Sequence, residues 1–175
     1  MERKQLRLPE YDYSQTGVYF LTLCAKGKAP LFGKVCVGGG VLDAPYVELS
    51  DMGVVVQDRL EEMDRHYEHL SMKKHIIMPN HVHLLVEVCG PSRTPAPAQG
   101  DGNGPSGTPA PTKANQAIPA YVSTLKRLTN RTCDRELWHR GYYDHVIRNE
   151  ADFLRIWTYI DANPAKWADD EYFVR

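Results

Sequence analysis

A chain of 175 residues, 42% hydrophobic and 25% charged, has the make-up of one soluble globular domain, which excludes disorder throughout. Lys plus Arg number 21 against 22 for Asp plus Glu, so the formal net charge of −1 carries no general signature of a nucleic-acid partner. No run approaches the roughly 18 apolar residues of a membrane span, and the opening MERKQLRLPEYDY lacks the apolar core of a secretory signal, so a cytoplasmic protein with no membrane partner is expected.

Residues 18–24 (VYFLTLC) are rich in β-branched and aromatic side chains and follow Gly17, which predicts a first strand entered from a turn. A Gly- and Pro-punctuated stretch comes next, with a weak second strand near Tyr46–Leu49. Ser50 stands where it caps a helix whose apolar positions Val54, Val55, Leu60 and Met63 recur at roughly helical spacing. Residues 41–64, which include this helix, hold seven acids and one base, so the remainder of the chain carries +5 and has the charge for a basic face. Lys73–Met78 (KKHIIM) and His81–Val88 (HVHLLVEV) are β-rich runs on either side of Pro79-Asn80, the composition of a tight hairpin.

Residues 89–115 are almost wholly Gly, Pro, Ala, Thr, Ser and polar residues, and no aromatic or branched aliphatic side chain occurs among them. They cannot bury a core, so they are expected to form a disordered insertion within a single domain spanning 1–175. Order resumes with a helix from Ile118 to Arg131, whose stripe is Tyr121, Val122, Leu125 and Leu128, with Pro119 in the first turn. Leu137–Ile147 (LWHRGYYDHVI) reads as a strand kinked or bulged at its glycine. Asn149 then caps a last helix in which Phe153, Ile156, Trp157 and Ile160 stand at i, i+3, i+4 and i+7, and Pro164 ends it. The order β-(β)-α-β-β-α-β-α is an α+β arrangement, with helices packed on a mainly antiparallel sheet, for which a ferredoxin-like sandwich is the nearest common fold.

Two residue pairs carry candidate chemistry. On a strand, side chains alternate faces, so His81 and His83 point one way while Val82, Leu84 and Val86 point the other, and neighbouring imidazoles can chelate one metal ion. Tyr159 and Asn163 lie one helical turn apart and flank the apolar stripe of the last helix. A free phenol, with a pKa of about 10, is only about one part in a thousand ionised at pH 7, so a functional Tyr159 needs a positive charge nearby. The four cysteines (Cys24, Cys36, Cys89, Cys133) form no C-x-x-C pair and do not support a zinc ribbon or a thioredoxin-type site.

The run Met78-Pro79-Asn80-His81-Val82-His83-Leu84-Leu85-Val86 resembles the HUH element (histidine, bulky hydrophobic, histidine) of single-tyrosine transposases, in the branch of the REP-associated tyrosine transposases. Residues 17–33 (GVYFLTLCAKGKAPLFG) are similar to that branch's first strand and loop, and 138–149 (WHRGYYDHVIRN) to its motif before the last helix. Tyr159-Ile160-Asp161-Ala162-Asn163-Pro164 resembles its catalytic helix. The resemblance implies an HUH endonuclease with His81, His83 and Asn163 as ligands of a divalent metal, Mg²⁺ or Mn²⁺, and Tyr159 as nucleophile. It further implies cleavage of single-stranded DNA next to palindromic hairpins through a 5′-phosphotyrosine intermediate, by a monomer or a homodimer. The alternative is a domesticated hairpin-binding protein without physiological cleavage.

Bases and aromatics are concentrated between Tyr121 and Arg148, and a single strand takes both, phosphates on cations and bases on rings. Lys126, Arg127, Arg131, Arg140, Tyr142, Tyr143 and Arg148 are therefore the candidate DNA-binding residues.

Overall fold

The structure, a computed structural model, describes residues 15–37, 44–89 and 117–173. Apart from Cys89, the predicted insertion at 89–115 lies outside the described residues. Strand β1 (Gly17–Cys24) leads through a short 3₁₀ turn (Lys26–Lys28) to β2 (Gly33–Cys36) and β3 (Tyr46–Leu49). Helix α1 (Asp51–His66), the hairpin of β4 (Leu70–Met78) and β5 (His81–Val88), and helix α2 (Ala117–Thr132) follow. Strand β6 (Tyr143–Ile147), helix α3 (Glu150–Ala162) and a closing 3₁₀ turn (Pro164–Asp169) complete the order.

Four strands form one sheet in the order β4-β5-β1-β6, antiparallel at every junction, and β2 pairs with β3 in a separate ribbon. With the ribbon and α3 set aside, β-α-β-β-α-β in that strand order is the ferredoxin-like arrangement, so the predicted α+β class holds. Among the described residues no helix is long and apolar enough to cross a membrane.

Alternation along β1 and β5 divides the molecule into two faces. Tyr19, Leu21 and Leu23 of β1 and Val82, Leu84, Val86 and Val88 of β5 point into the larger core, beside Val56, Leu60 and Met63 of α1 and Ile118, Tyr121, Val122 and Leu125 of α2. The opposite face carries a smaller cluster, in which Leu85 meets Ile156 and Ile160 of α3, with Phe20, Ile76, Phe153 and Trp157 at its edge. Both central strands therefore have one face covered by two helices and one covered by α3 alone, which leaves room beside α3 for a site.

Ser50 caps α1 as predicted, accepting a hydrogen bond from the Gly53 amide at 3.1 Å. The buried stripe of α1 differs from the predicted one, because Gly53, Val56, Leu60 and Met63 face inward while Val54 is 46% exposed. The cause is a close approach: a Cβ at Gly53 would lie 2.0 Å from the Phe32 carbonyl oxygen, so the helix turns its glycine to that backbone.

Two strands depart from expectation. Strand β4 begins at Leu70, not Lys73, and a bulge between Met72 and Lys74 breaks the alternation that would have marked its start. The run 137–147 is a strand only from Tyr143, Trp138 making one isolated bridge to Ala25. Side chains claim the first part of that run: Trp138 Nε1 donates to Thr129 Oγ1 at 2.7 Å, and Lys126 Nζ donates to the carbonyls of His139 and Gly141 at 2.8 and 2.7 Å.

Candidate active site

β5 presents His81 and His83 on the α3 face, where both are buried at 0% and 1% exposure. Their partners set their protonation. Asn80 donates through Nδ2 to the carbonyls of Lys28 and Tyr172, at 3.1 and 2.7 Å, which turns its Oδ1 towards His81 Nδ1 at 3.0 Å. A carbonyl oxygen there requires Nδ1 to carry the proton, which leaves the lone pair of His81 on Nε2. Thr22 Oγ1 sits 2.9 Å from His83 Nδ1, and the two Nε2 atoms face each other at 3.1 Å. Burial, reinforced by the charge of Lys28, pushes His81 down to about 3, and burial beside His81 holds His83 well below the ordinary imidazole range. Both rings are thus neutral near pH 7, the state in which imidazole ligates a metal.

α3 brings the second pair. Asn149 caps it, accepting from the Asp152 amide at 2.9 Å, and the buried Ile156 and Ile160 fix its rotation. Tyr159 then reaches the histidines, its Oη 3.3 Å from His83 Nε2 and its ring edge-on to Phe20, yet it stays 37% exposed. Asn163 is 2% exposed, and its Oδ1 is buried with no hydrogen-bond partner among the described residues. An amide oxygen left unsatisfied in this way costs stability unless another group, such as a cation, meets it.

Sequence reasoning missed Asp170. The chain leaves α3 at Ala162, as Pro164 requires, but continues as a 3₁₀ turn that folds back over the site. One ligand atom each from His81, His83 and Asp170 lie within 4.8 Å of one another. Asp170 accepts from the Tyr172 amide at 2.7 Å and from Asn163 Nδ2 at 3.3 Å. Burial first, and the negative Asp170 second, raise the Tyr159 phenol above its ordinary range. Two neutral imidazoles, an orphan amide oxygen and a carboxylate are a donor set that fits a divalent cation of borderline hardness. Such a cation would also supply the positive charge that the phenol lacks.

The predicted DNA-binding residues do not converge on this site. Arg127 and Arg131 are exposed on α2, which covers the other face of the sheet, and Arg140 and Arg148 are exposed at either end of the β6 segment. Lys126 ties down the loop before β6. Tyr142 is a correction: at 5% exposure its ring is part of the larger core and offers no stacking surface, whereas Tyr143 is 46% exposed. The cations nearer the site are Lys28, whose Nζ lies 5.4 Å from the centroid of the Tyr172 ring, and Lys166, which lines a cavity of about 300 Å³ with Tyr159 and Asn163.

No family model matches the chain. An uncharacterized protein of Haemophilus influenzae is 30% identical over 183 residues, covering 98% of this chain and 93% of that one. A second protein of the same organism, named "Putative REP-associated tyrosine transposase", is 19% identical over 155 residues, 89% of this chain and 74% of its own. The solved structure of a REP-associated tyrosine transposase bound to a REP hairpin superposes with a TM-score of 0.60 at 15% identity, over 92% of this chain and 73% of that one. The chain therefore shares its fold with that transposase, and it belongs to the same family as the first Haemophilus influenzae protein.

Proposed function

We propose that this protein is a metal-dependent single-strand DNA endonuclease and strand transferase, a transposase of the REP-associated tyrosine type that cuts beside palindromic hairpins. The observation that carries the reading is that His83 Nε2 faces both His81 Nε2, at 3.1 Å, and the Tyr159 hydroxyl, at 3.3 Å, with Asn163 hydrogen-bonded to the Asp170 carboxylate that lies within reach of both imidazoles. The hairpin bound by the solved transposase supports hairpin DNA as the substrate class. His81, His83 and Asn163 would hold Mg²⁺ or Mn²⁺, with Asp170 in reach as a further donor. When bound, the ion supplies Lewis-acid polarisation of the phosphate oxygens.

The residues of the chain perform the rest. Tyr159 is open enough for a strand to reach and is held by Phe20 and His83 on its inner side. Its oxygen forms a bond to phosphorus as the bond to the 3′-oxygen breaks. The phenol proton passes to solvent, and the departing oxygen leaves as a 3′-hydroxyl after taking a proton from water. The phosphodiester energy is kept in the 5′-phosphotyrosine, so a second 3′-hydroxyl reverses the step on another strand without a nucleotide cofactor.

The test is a denaturing gel of purified protein with Mn²⁺ and labelled single-stranded hairpins from the DNA that flanks the gene. A protein-DNA band lost with EDTA and with Tyr159→Phe is expected. Hairpin binding with no such band would instead leave a binding protein without cleavage.

A further inference from the structure

A second cavity, of about 430 Å³, lies beside the histidine pair over β1 and β6, and the reaction as so far described does not use it. Its lining includes Phe20 and Thr22 from β1, Lys28 from the 3₁₀ turn, His139 and Tyr143 from the β6 segment, and Tyr172 from the C-terminal segment, with Asp144 and Glu171 as two acids on its wall. Thr22 and Tyr172 also touch the metal candidates: Thr22 hydrogen-bonds His83 Nδ1, and the Tyr172 ring lies 4.6 Å from that of His81. Tyr159 opens into the other cavity, and of the residues that line the two only Glu171 is common to both. The His83 ring touches one lining residue of each, Tyr159 at its Nε2 and Thr22 at its Nδ1.

In-line displacement at phosphorus puts the leaving oxygen on the side away from the attacking one. With Tyr159 attacking from the first cavity, the nucleotide that leaves with the 3′-hydroxyl extends towards the second. We infer that the cleft over β1 and β6 is the subsite for that nucleotide, its base stacked on the Tyr143 ring and its phosphate paired with Lys28. This inference rests on the proposed strand cleavage and deepens it.

Three features suit the assignment. Tyr143 points to the same face as Thr22, its partner in the β1–β6 register, and at 46% exposure its ring is available to a base. Lys28 is exposed and has a φ of 55°, in the left-handed region that a lysine adopts at a cost, while its carbonyl is held by Asn80, the same side chain that fixes His81. His139 and Glu171 bring a donor and an acceptor to the edges of a stacked base, whereas a sealed core cavity would be lined by apolar groups alone.

The test uses Tyr159→Phe protein with Mn²⁺, which binds without cutting, and single-stranded hairpin oligonucleotides in which 2-aminopurine is scanned along the flank. Tyr143→Ala is expected to weaken binding about fivefold to a hundredfold, with Tyr143→Phe restoring it. The 2-aminopurine quenching lost in Tyr143→Ala should belong to the base on the 3′-hydroxyl side of the cut, and an abasic site there should make Tyr143→Ala silent. Lys28→Gln should lower the slope of log affinity against log salt by about 0.7. Unchanged binding by Tyr143→Ala, or coupling to a base on the 5′-phosphate side, overturns the inference. If wild-type protein still forms its covalent adduct in that case, strand cleavage stands and only the subsite falls. Loss of stacking in Tyr143→Ala with no adduct from wild type keeps the cleft as a nucleotide site and removes the cleavage reading.

Discussion

The two faces of the central sheet are built from the same two strands and do opposite work. Between β1 and the two helices α1 and α2, buried apolar side chains interlock, and Leu84 on β5 is wholly covered. One residue away, on the other face, His83 is equally buried but meets a hydroxyl, a second imidazole and a phenol. The larger core thus stabilises the sheet, and its rigidity lets the opposite face hold neutral imidazoles against each other. A face so polar would be hard to keep folded without the apolar one behind it.

Substitutions on the two faces should separate activity from stability. The largest effect is expected from Tyr159→Phe, which should slow single-turnover strand cleavage by about a thousandfold or more while shifting unfolding free energy by no more than about 0.5 kcal/mol. Leu84→Ala, on the other face, should cost about 2–5 kcal/mol in urea unfolding and leave the Mn²⁺ affinity of the folded protein within about threefold of wild type. A large loss of metal affinity in that variant would show that the faces are not independent. Asn163→Ala should lower Mn²⁺ affinity at least about tenfold by isothermal titration, and an unchanged affinity would remove the amide from the donor set.

A more gradual effect is a pH slope in metal-free protein. Both histidines titrate lower in the folded than in the unfolded chain, from the ordinary 6.5 down to about 3 for His81. Between those values the unfolded state binds more protons, so stability is lost as pH falls through the window, by at most about 1.4 kcal/mol per pH unit for each histidine. Urea unfolding in EDTA at pH 7, 6, 5 and 4 measures the slope, and His81→Gln should flatten it. An equal slope in that variant would place the acid sensitivity elsewhere.

What could be read from the sequence was what is decided locally. Alternation along His81–Val88 put His81 and His83 on one face of β5 and Val82, Leu84 and Val86 on the other, and the i, i+3, i+4, i+7 spacing with Asn149 and Pro164 bounded α3. Strand β2 was missed because its four residues pair only with β3, and neither strand alternates strongly enough to stand out. Val54 was misplaced because α1 is rotated by a backbone contact at Gly53 that no helical periodicity encodes. The histidine pair, Tyr159 and Asn163 were named from motif and spacing; His83 Nε2 lies 3.1 Å from His81 Nε2 and 3.3 Å from the Tyr159 hydroxyl, and Asn163 bonds Asp170. Asp170 and Lys28 carry no motif of their own. They reach the site only because the turn after Pro164 folds back and the Lys26–Lys28 turn is pinned by Asn80. Tyr142 and Tyr143 are adjacent tyrosines that sequence could not tell apart, and strand geometry sends one into the core and leaves the other open.

Mass spectrometry of the trapped protein-DNA adduct after nuclease and trypsin locates the residue that attacks the strand. The tryptic peptide 156–166 contains Tyr159 as its one tyrosine, so the attachment site is unambiguous there. A nucleotide joined through a 5′-phosphate to that tyrosine, formed only with divalent metal, is expected. Attachment to another residue, or cleavage of the strand with no covalent intermediate, would contradict attack by Tyr159.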